Sequence, residues 1–84
     1  MSSDDTNAKT VCAIGLDVGG TKIAAGLVAR VTGEVLLRRV IPTAAERGGQ
    51  AVLDDCLALA EGLLADGKAA GYAVQWIGVG VAEL

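Results

Sequence analysis

Two apolar runs, Val11–Leu16 and Ile23–Val31, are broken by Asp17-Val18-Gly19-Gly20-Thr21-Lys22, and this interruption constrains the fold more than any other stretch. An apolar segment rich in β-branched residues, an acid, two glycines, a hydroxyl, an amine and a second apolar segment read as strand, tight turn, strand. The first strand is expected over Val11–Val18, with both of its faces apolar up to the acid, as in a central strand. The second is expected over Ile23–Val31, with Gly26 marking a bulge or a close approach. Thr32-Gly33 is a two-residue hairpin signal. A third strand follows over Glu34–Ile41, and Pro42 ends it for want of a ladder donor.

The remainder reads as one helix and one more strand. Thr43-x-x-Glu46 imitates a capping box, but Gly48-Gly49 points to a loop up to that position. The helix is expected over Gly49–Asp66 with Gly67 at its C′ position. Val52, Leu53, Cys56, Leu57, Leu59, Ala60, Leu63 and Leu64 fall on one broad face, and Asp54, Asp55, Glu61 and Asp66 on the other. Asp54 and Asp55 diverge around the helix and do not share a site. The last strand holds Trp76 and the run Ile77–Val81, and Trp76 reads as core or sheet cover rather than a ligand platform. A strand trio, a helical crossover and a fourth strand make an α/β unit, with strand four parallel to strand one.

The glycine turn carries the chemistry. Without a Cβ, Gly19 and Gly20 are free to take positive φ and to let an anion reach the main chain. Successive N–H groups in such a turn form a nest for phosphate oxygens. Asp17 repels phosphate, which leaves it the role of holding Mg²⁺ through water, because Mg²⁺ keeps several waters and takes one or two carboxylates. Thr21 offers a hydroxyl, and Lys22 a cation for charge that develops in phosphoryl transfer. The alternative is a plain hairpin whose charges face water. Gly15 to Gly20 has P-loop spacing, but Thr21-Lys22 reverses the required order. Gly78-Val79-Gly80 has no helix after it and is no dinucleotide fingerprint.

Ile14-Gly15-Leu16-Asp17-Val18-Gly19-Gly20-Thr21-Lys22-Ile23 resembles the first phosphate motif of the ROK family, which holds bacterial glucokinases, other sugar kinases and sugar-responsive repressors. That family belongs to the superfamily of sugar kinases, actin and heat-shock ATPases. The resemblance covers residues 12–81, ending in Ile77-Gly78-Val79-Gly80-Val81, which is similar to the family's fourth strand. It implies an RNase H-like, actin-like ATPase subdomain with sheet order 3-2-1-4. Strands one to three would be antiparallel, and strand four would run parallel to strand one. It also implies ATP and Mg²⁺ as cofactors and a sugar as phosphate acceptor. Asp17 would be the metal-positioning residue, with Gly19, Gly20, Thr21 and Lys22 around the phosphates.

The same resemblance defines what these residues lack. ROK kinases take their catalytic base from an Asn-Asp pair after the fourth strand, and no Asn-Asp pair occurs here. The family's cysteine-rich zinc motif is also missing. Residues 10–84 are therefore expected to be the N-terminal part of such an ATPase domain, inactive alone, behind a disordered polar arm at residues 1–9. A sugar-sensing regulator without catalysis and a pure interaction module or remnant are the alternatives. ROK repressors carry a helix-turn-helix ahead of this domain, and the ten residues before Val11 are too few for one.

Composition excludes several other classes. Seven basic against ten acidic residues, with no basic stripe, give no support to nucleic-acid binding. Arg38-Arg39 is the only basic pair, and on a strand its members point to opposite faces. Asp17, Lys22 and Arg30 interrupt the first apolar region, so it is no membrane span, and residues 1–9 lack the pattern of a signal peptide. The default location is cytoplasmic. Cys12 and Cys56 read as small buried thiols, and without a histidine they make no zinc site. With 52% apolar residues but two aromatics, the core must be aliphatic, in a sheet suited to burial on both faces. The chain by itself is expected to expose apolar sheet surface and to self-associate.

Overall fold

Four strands and one long helix make up the chain in a computed structural model that describes residues 10–81. The polar arm expected at residues 1–9 lies outside the described residues, as do residues 82–84. The strands are β1 (Val11–Val18), β2 (Lys22–Ala29), β3 (Val35–Pro42) and β4 (Ala73–Val81). The helix α1 (Gly49–Ala69) lies between β3 and β4, after a short 3-10 turn over Ala45–Arg47. The sheet order is β3-β2-β1-β4. β1 pairs antiparallel with β2 and parallel with β4, and β2 pairs antiparallel with β3. The fold is thus α/β, with the mixed sheet and the order 3-2-1-4 that the strand pattern and the resemblance together lead one to expect.

Strand alternation decides the core. Cys12, Ile14, Leu16 and Val18 of β1, and Ile23, Ala25, Leu27 and Ala29 of β2, are all buried on one face of the sheet. Leu63 of α1 is buried against this row, with Cys56, Leu59, Ala60 and Leu64 partly covered beside it. Each fully buried aliphatic side chain of this kind contributes roughly 1.5–3 kcal/mol. The helix covers that face only, so the sheet is not buried on both sides. Burial pushes the Cys12 thiol pKa up, because the thiolate would be desolvated there.

The ends of the elements differ from expectation for identifiable reasons. Gly67 does not end the helix. It is buried inside the last turn, where a Cβ would sit 3.1 Å from Leu27 Cδ2, so its bareness lets α1 settle on the sheet. The helix runs on to Ala69, three residues past the expected Asp66, and is closed off by Gly71, whose φ is +88°. There the N–H of Tyr72 donates to Gly67 O at 2.9 Å and that of Gly71 to Lys68 O at 3.0 Å. That pair of bonds is a Schellman cap. β2 ends at Ala29 rather than Val31, and the β2–β3 hairpin is longer than two residues. Its closing bonds are Ala29 N–H to Glu34 O and Gly33 N–H to Ala29 O, both 2.8 Å. Pro42 belongs to β3 as its last residue, which an edge strand tolerates. A register shift between Leu27 and Val28 lets Leu36 and Leu37 both pack on the core.

The broad helix face is only partly used. Leu53 and Leu57 are 52% and 55% exposed. They stand over β4, whose Ile77, Val79 and Val81 share the helix side with Ile14, Leu16 and Val18 by register. Trp76 takes the other side of β4, is half exposed and lies under Arg30, whose guanidinium carbon is 4.8 Å from the ring centroid. It is therefore no core residue. No helix among the described residues is long and apolar enough to cross a membrane.

Candidate functional site

The pleat that buries Ile14 and Leu16 turns Asp17 to the uncovered face of the sheet, where it is exposed. On β2 the same rule buries Ile23 and leaves Lys22 exposed. Asp17 and Lys22 thus share one face at one end of the β1–β2 pair. Asp17 stands opposite Ala24 on β2 and Gly80 on β4, and the next row is Gly26, Gly15 and Gly78. No neighbour in these rows carries more than a methyl group. A Cβ at Gly15 or Gly78 would meet nothing within 4 Å. The result is a shallow depression of about 330 Å³ whose lining includes Asp17, Ala24, Gly26 and Val28, walled by Val35 and Arg38.

Arg38 is a residue that motif reading passed over. Arg39 points to the helix side and pairs with Asp66 of α1 at 2.7 Å. Its neighbour Arg38, opposite Gly26, takes the uncovered side and is the one cation lining the depression that holds Asp17. The signal was present: two adjacent arginines on a strand must send one to each face.

The loop between β1 and β2 is Gly19-Gly20-Thr21. Neither glycine uses its freedom to take positive φ; among the described glycines, only Gly33, Gly48 and Gly71 do. Gly19 is needed for a different reason, since a Cβ there would lie 3.2 Å from Lys22 O. Its N–H donates to that same carbonyl at 2.9 Å. The N–H groups of Gly20 and Thr21 donate to no backbone acceptor among the described residues. Gly20 is exposed, and a Cβ on it would meet nothing within 4 Å. Lys22 forms no ion pair among the described residues.

Two carbonyls of the loop are held from outside it. Thr43, just past β3, donates its hydroxyl to Gly19 O at 2.7 Å and its N–H to Thr21 O at 3.0 Å. Thr43 is fully buried. The capping-box imitation at Thr43 and Glu46 is thus no cap: the 3-10 turn has no side-chain cap, and the hydroxyl serves the glycine loop.

A larger concavity, about 510 Å³, lies on the other face between α1 and β4. Leu53, Leu57, Ile77, Val79 and Val81 line it without any charged side chain, so it offers nothing to hold a polyphosphate. Asp54 and Asp55 point to separate partners. Asp54 accepts from Gln50 Nε2 at 2.8 Å, and Asp55 pairs with Arg47 at 2.6 Å. Compared with protein-family models and with curated proteins, the chain matches none of them.

Proposed function

We propose that these residues form the phosphate-binding part of an ATP-dependent sugar kinase of the ROK type, transferring phosphate to a hexose hydroxyl as glucokinases do. The actin-like ATPase identity of the fold belongs to the same proposal. One observation carries it: Gly20 has no positive φ, touches nothing through its missing Cβ, and keeps an amide without a backbone partner beside Asp17 and Lys22. The fold itself has no use for a glycine there, whereas an anion approaching the main chain does. The donor set fits MgATP. The Gly20 and Thr21 amides and the Thr21 hydroxyl face phosphate oxygens, Asp17 holds the water shell of Mg²⁺, and Lys22 balances charge. Bound MgATP supplies the transferable phosphoryl group. No Asn-Asp pair occurs in the sequence, so the base comes from elsewhere and these residues alone do not phosphorylate sugar.

Titration with MgATP, followed residue by residue through amide NMR shifts, tests the proposal. Gly20, Thr21 and Lys22 should move, and Thr32 and Gly33 at the far hairpin should not. Absence of any response at the glycine loop removes the kinase reading. A second reading is an association module, favoured by the apolar concavity between α1 and β4. Sedimentation as a concentration-independent monomer excludes it.

A further inference from the structure

We propose that Thr43 is the positioning residue of the β1–β2 loop: by holding the Gly19 and Thr21 carbonyls it aims the Gly20 N–H outward, at the phosphate. The inference rests on reading that loop as a phosphate site, but the orientation it asserts is a property of the free protein.

The geometry follows from peptide planarity. Every peptide bond among the described residues is trans. In a trans peptide the C=O and the N–H of the next residue point in opposite directions. The Gly19 carbonyl points at the Thr43 hydroxyl, so the Gly20 N–H points away from Thr43. Thr43 is buried and Gly20 is exposed, so the amide is aimed away from the packed side of the loop. If the Gly19–Gly20 peptide flipped, the amide would face inward and a carbonyl oxygen would meet the anion instead.

A threonine is an odd choice for this place unless the hydroxyl is used. Thr43 is the one fully buried polar side chain among the described residues. Valine has the same shape and is cheaper to bury, since a buried hydroxyl is costly without a partner. The partner here is a loop carbonyl 24 residues away in sequence. Thr43 is itself braced. Its carbonyl accepts from Arg47 Nη2 at 2.9 Å, and the same nitrogen reaches Asp55 of α1 at 2.6 Å. Ala44 sits between them in the left-handed region at φ 49°, a conformation that persists only where its surroundings impose it. The arch from β3 to α1 thus ties the glycine loop to the helix.

The test compares Thr43→Val and Thr43→Ser with the parent chain. The first reading is the residual dipolar coupling of the Gly20 N–H in the free protein, which reports its direction. The second is MgATP affinity from amide shifts. Thr43→Ser should keep both. Thr43→Val should change the Gly20 coupling while couplings in β1 and β2 stay constant. It should also weaken MgATP roughly tenfold, as expected for losing one oriented bond to a charged group. If Thr43→Val binds MgATP as the parent does, with Gly20 unmoved, the positioning role is wrong and the kinase reading survives. If the parent ignores MgATP yet Thr43→Val still turns the Gly20 N–H, the kinase reading falls and the positioning role stands. If Thr43→Val does not fold, the parent coupling alone decides. A Gly20 N–H that points toward Thr43, or that averages over many directions, overturns the proposal.

Discussion

The sheet has two hairpin loops, and they are held in place in different ways. The β2–β3 loop closes on itself. Gly33 enters the left-handed region at φ +75°, its N–H returns to Ala29, and the Glu34 N–H takes the Thr32 hydroxyl at 3.2 Å. These bonds stay within residues 29–34; the Arg30 N–H alone reaches outside them, donating to Val11 O at 2.9 Å. The β1–β2 loop is instead anchored through its carbonyls, by a residue from a different part of the chain. Val31 and Thr32 in the first loop, like Gly20 and Thr21 in the second, keep N–H groups with no backbone acceptor among the described residues, so the loops differ in what holds them in place: local bonds in one, a distant buried threonine in the other.

Substitutions in the two loops should separate along that line. The largest effect is expected at Asp17. Asp17→Asn should weaken MgATP binding by roughly 10–100-fold, the usual cost of losing a group that orients a metal's water shell, with an unchanged melting temperature. Titration calorimetry and a thermal scan on the same sample check both halves. In the closed loop, Gly33→Ala should cost about 1–2 kcal/mol of stability, because a Cβ is strained at that φ. Urea unfolding reads the loss, and the glycine-loop amides should respond to MgATP as before. Gly20→Ala should do the reverse. Stability should stay within about 0.5 kcal/mol, since nothing opposes the new methyl group, while MgATP affinity falls. Equal affinity in Gly20→Ala would erase the distinction between the loops. The smallest change is expected at Ala44→Gly. Relief of left-handed strain, roughly 1–2 kcal/mol, is offset by about 0.4–1 kcal/mol of added unfolded-state entropy. The net gain of roughly 0.5 kcal/mol should appear in the same urea measurements.

The two edges of the sheet show a second contrast. β3 carries Arg38, Arg39 and Pro42 and an irregular register, all features that discourage strand pairing. β4 has no charged residue from Ala73 to Val81 and leaves Ile77, Val79 and Val81 more than half exposed. Self-association of the chain is expected to use the β4 side.

Much of the fold is legible before any coordinates. The limits of β1 follow from its β-branched run and the acid near its end. The start of α1 follows from Gly48-Gly49, and the parity of each strand follows from alternation. The candidate site residues Asp17, Gly19, Gly20, Thr21 and Lys22 are marked by one short motif. Errors arose where a residue has two local meanings and packing chose between them. Gly67 looks like a helix cap and is a contact surface for Leu27. Thr43 only imitates a capping box, as Gly48-Gly49 already indicate, but no local pattern shows that its hydroxyl serves a different loop. Leu53 and Leu57 lie on the apolar face of the helix, yet α1 covers β1 and β2 and leaves them over β4.

Short-range chemistry along the chain was enough to set where β1 begins, to place the starts of β2 and β3 within one residue, and to fix which side chains alternate to which face, but not the start of β4, which lies at Ala73, ahead of the expected Ile77–Val81 run. These depend on bond geometry and on neighbours a few positions away. Which face the helix covers, which apolar residues stay in water and which hydroxyl anchors the glycine loop emerged only once the elements were packed. Those outcomes depend on register and on contacts such as Thr43 to Gly19, between residues far apart along the chain, which no local pattern encodes.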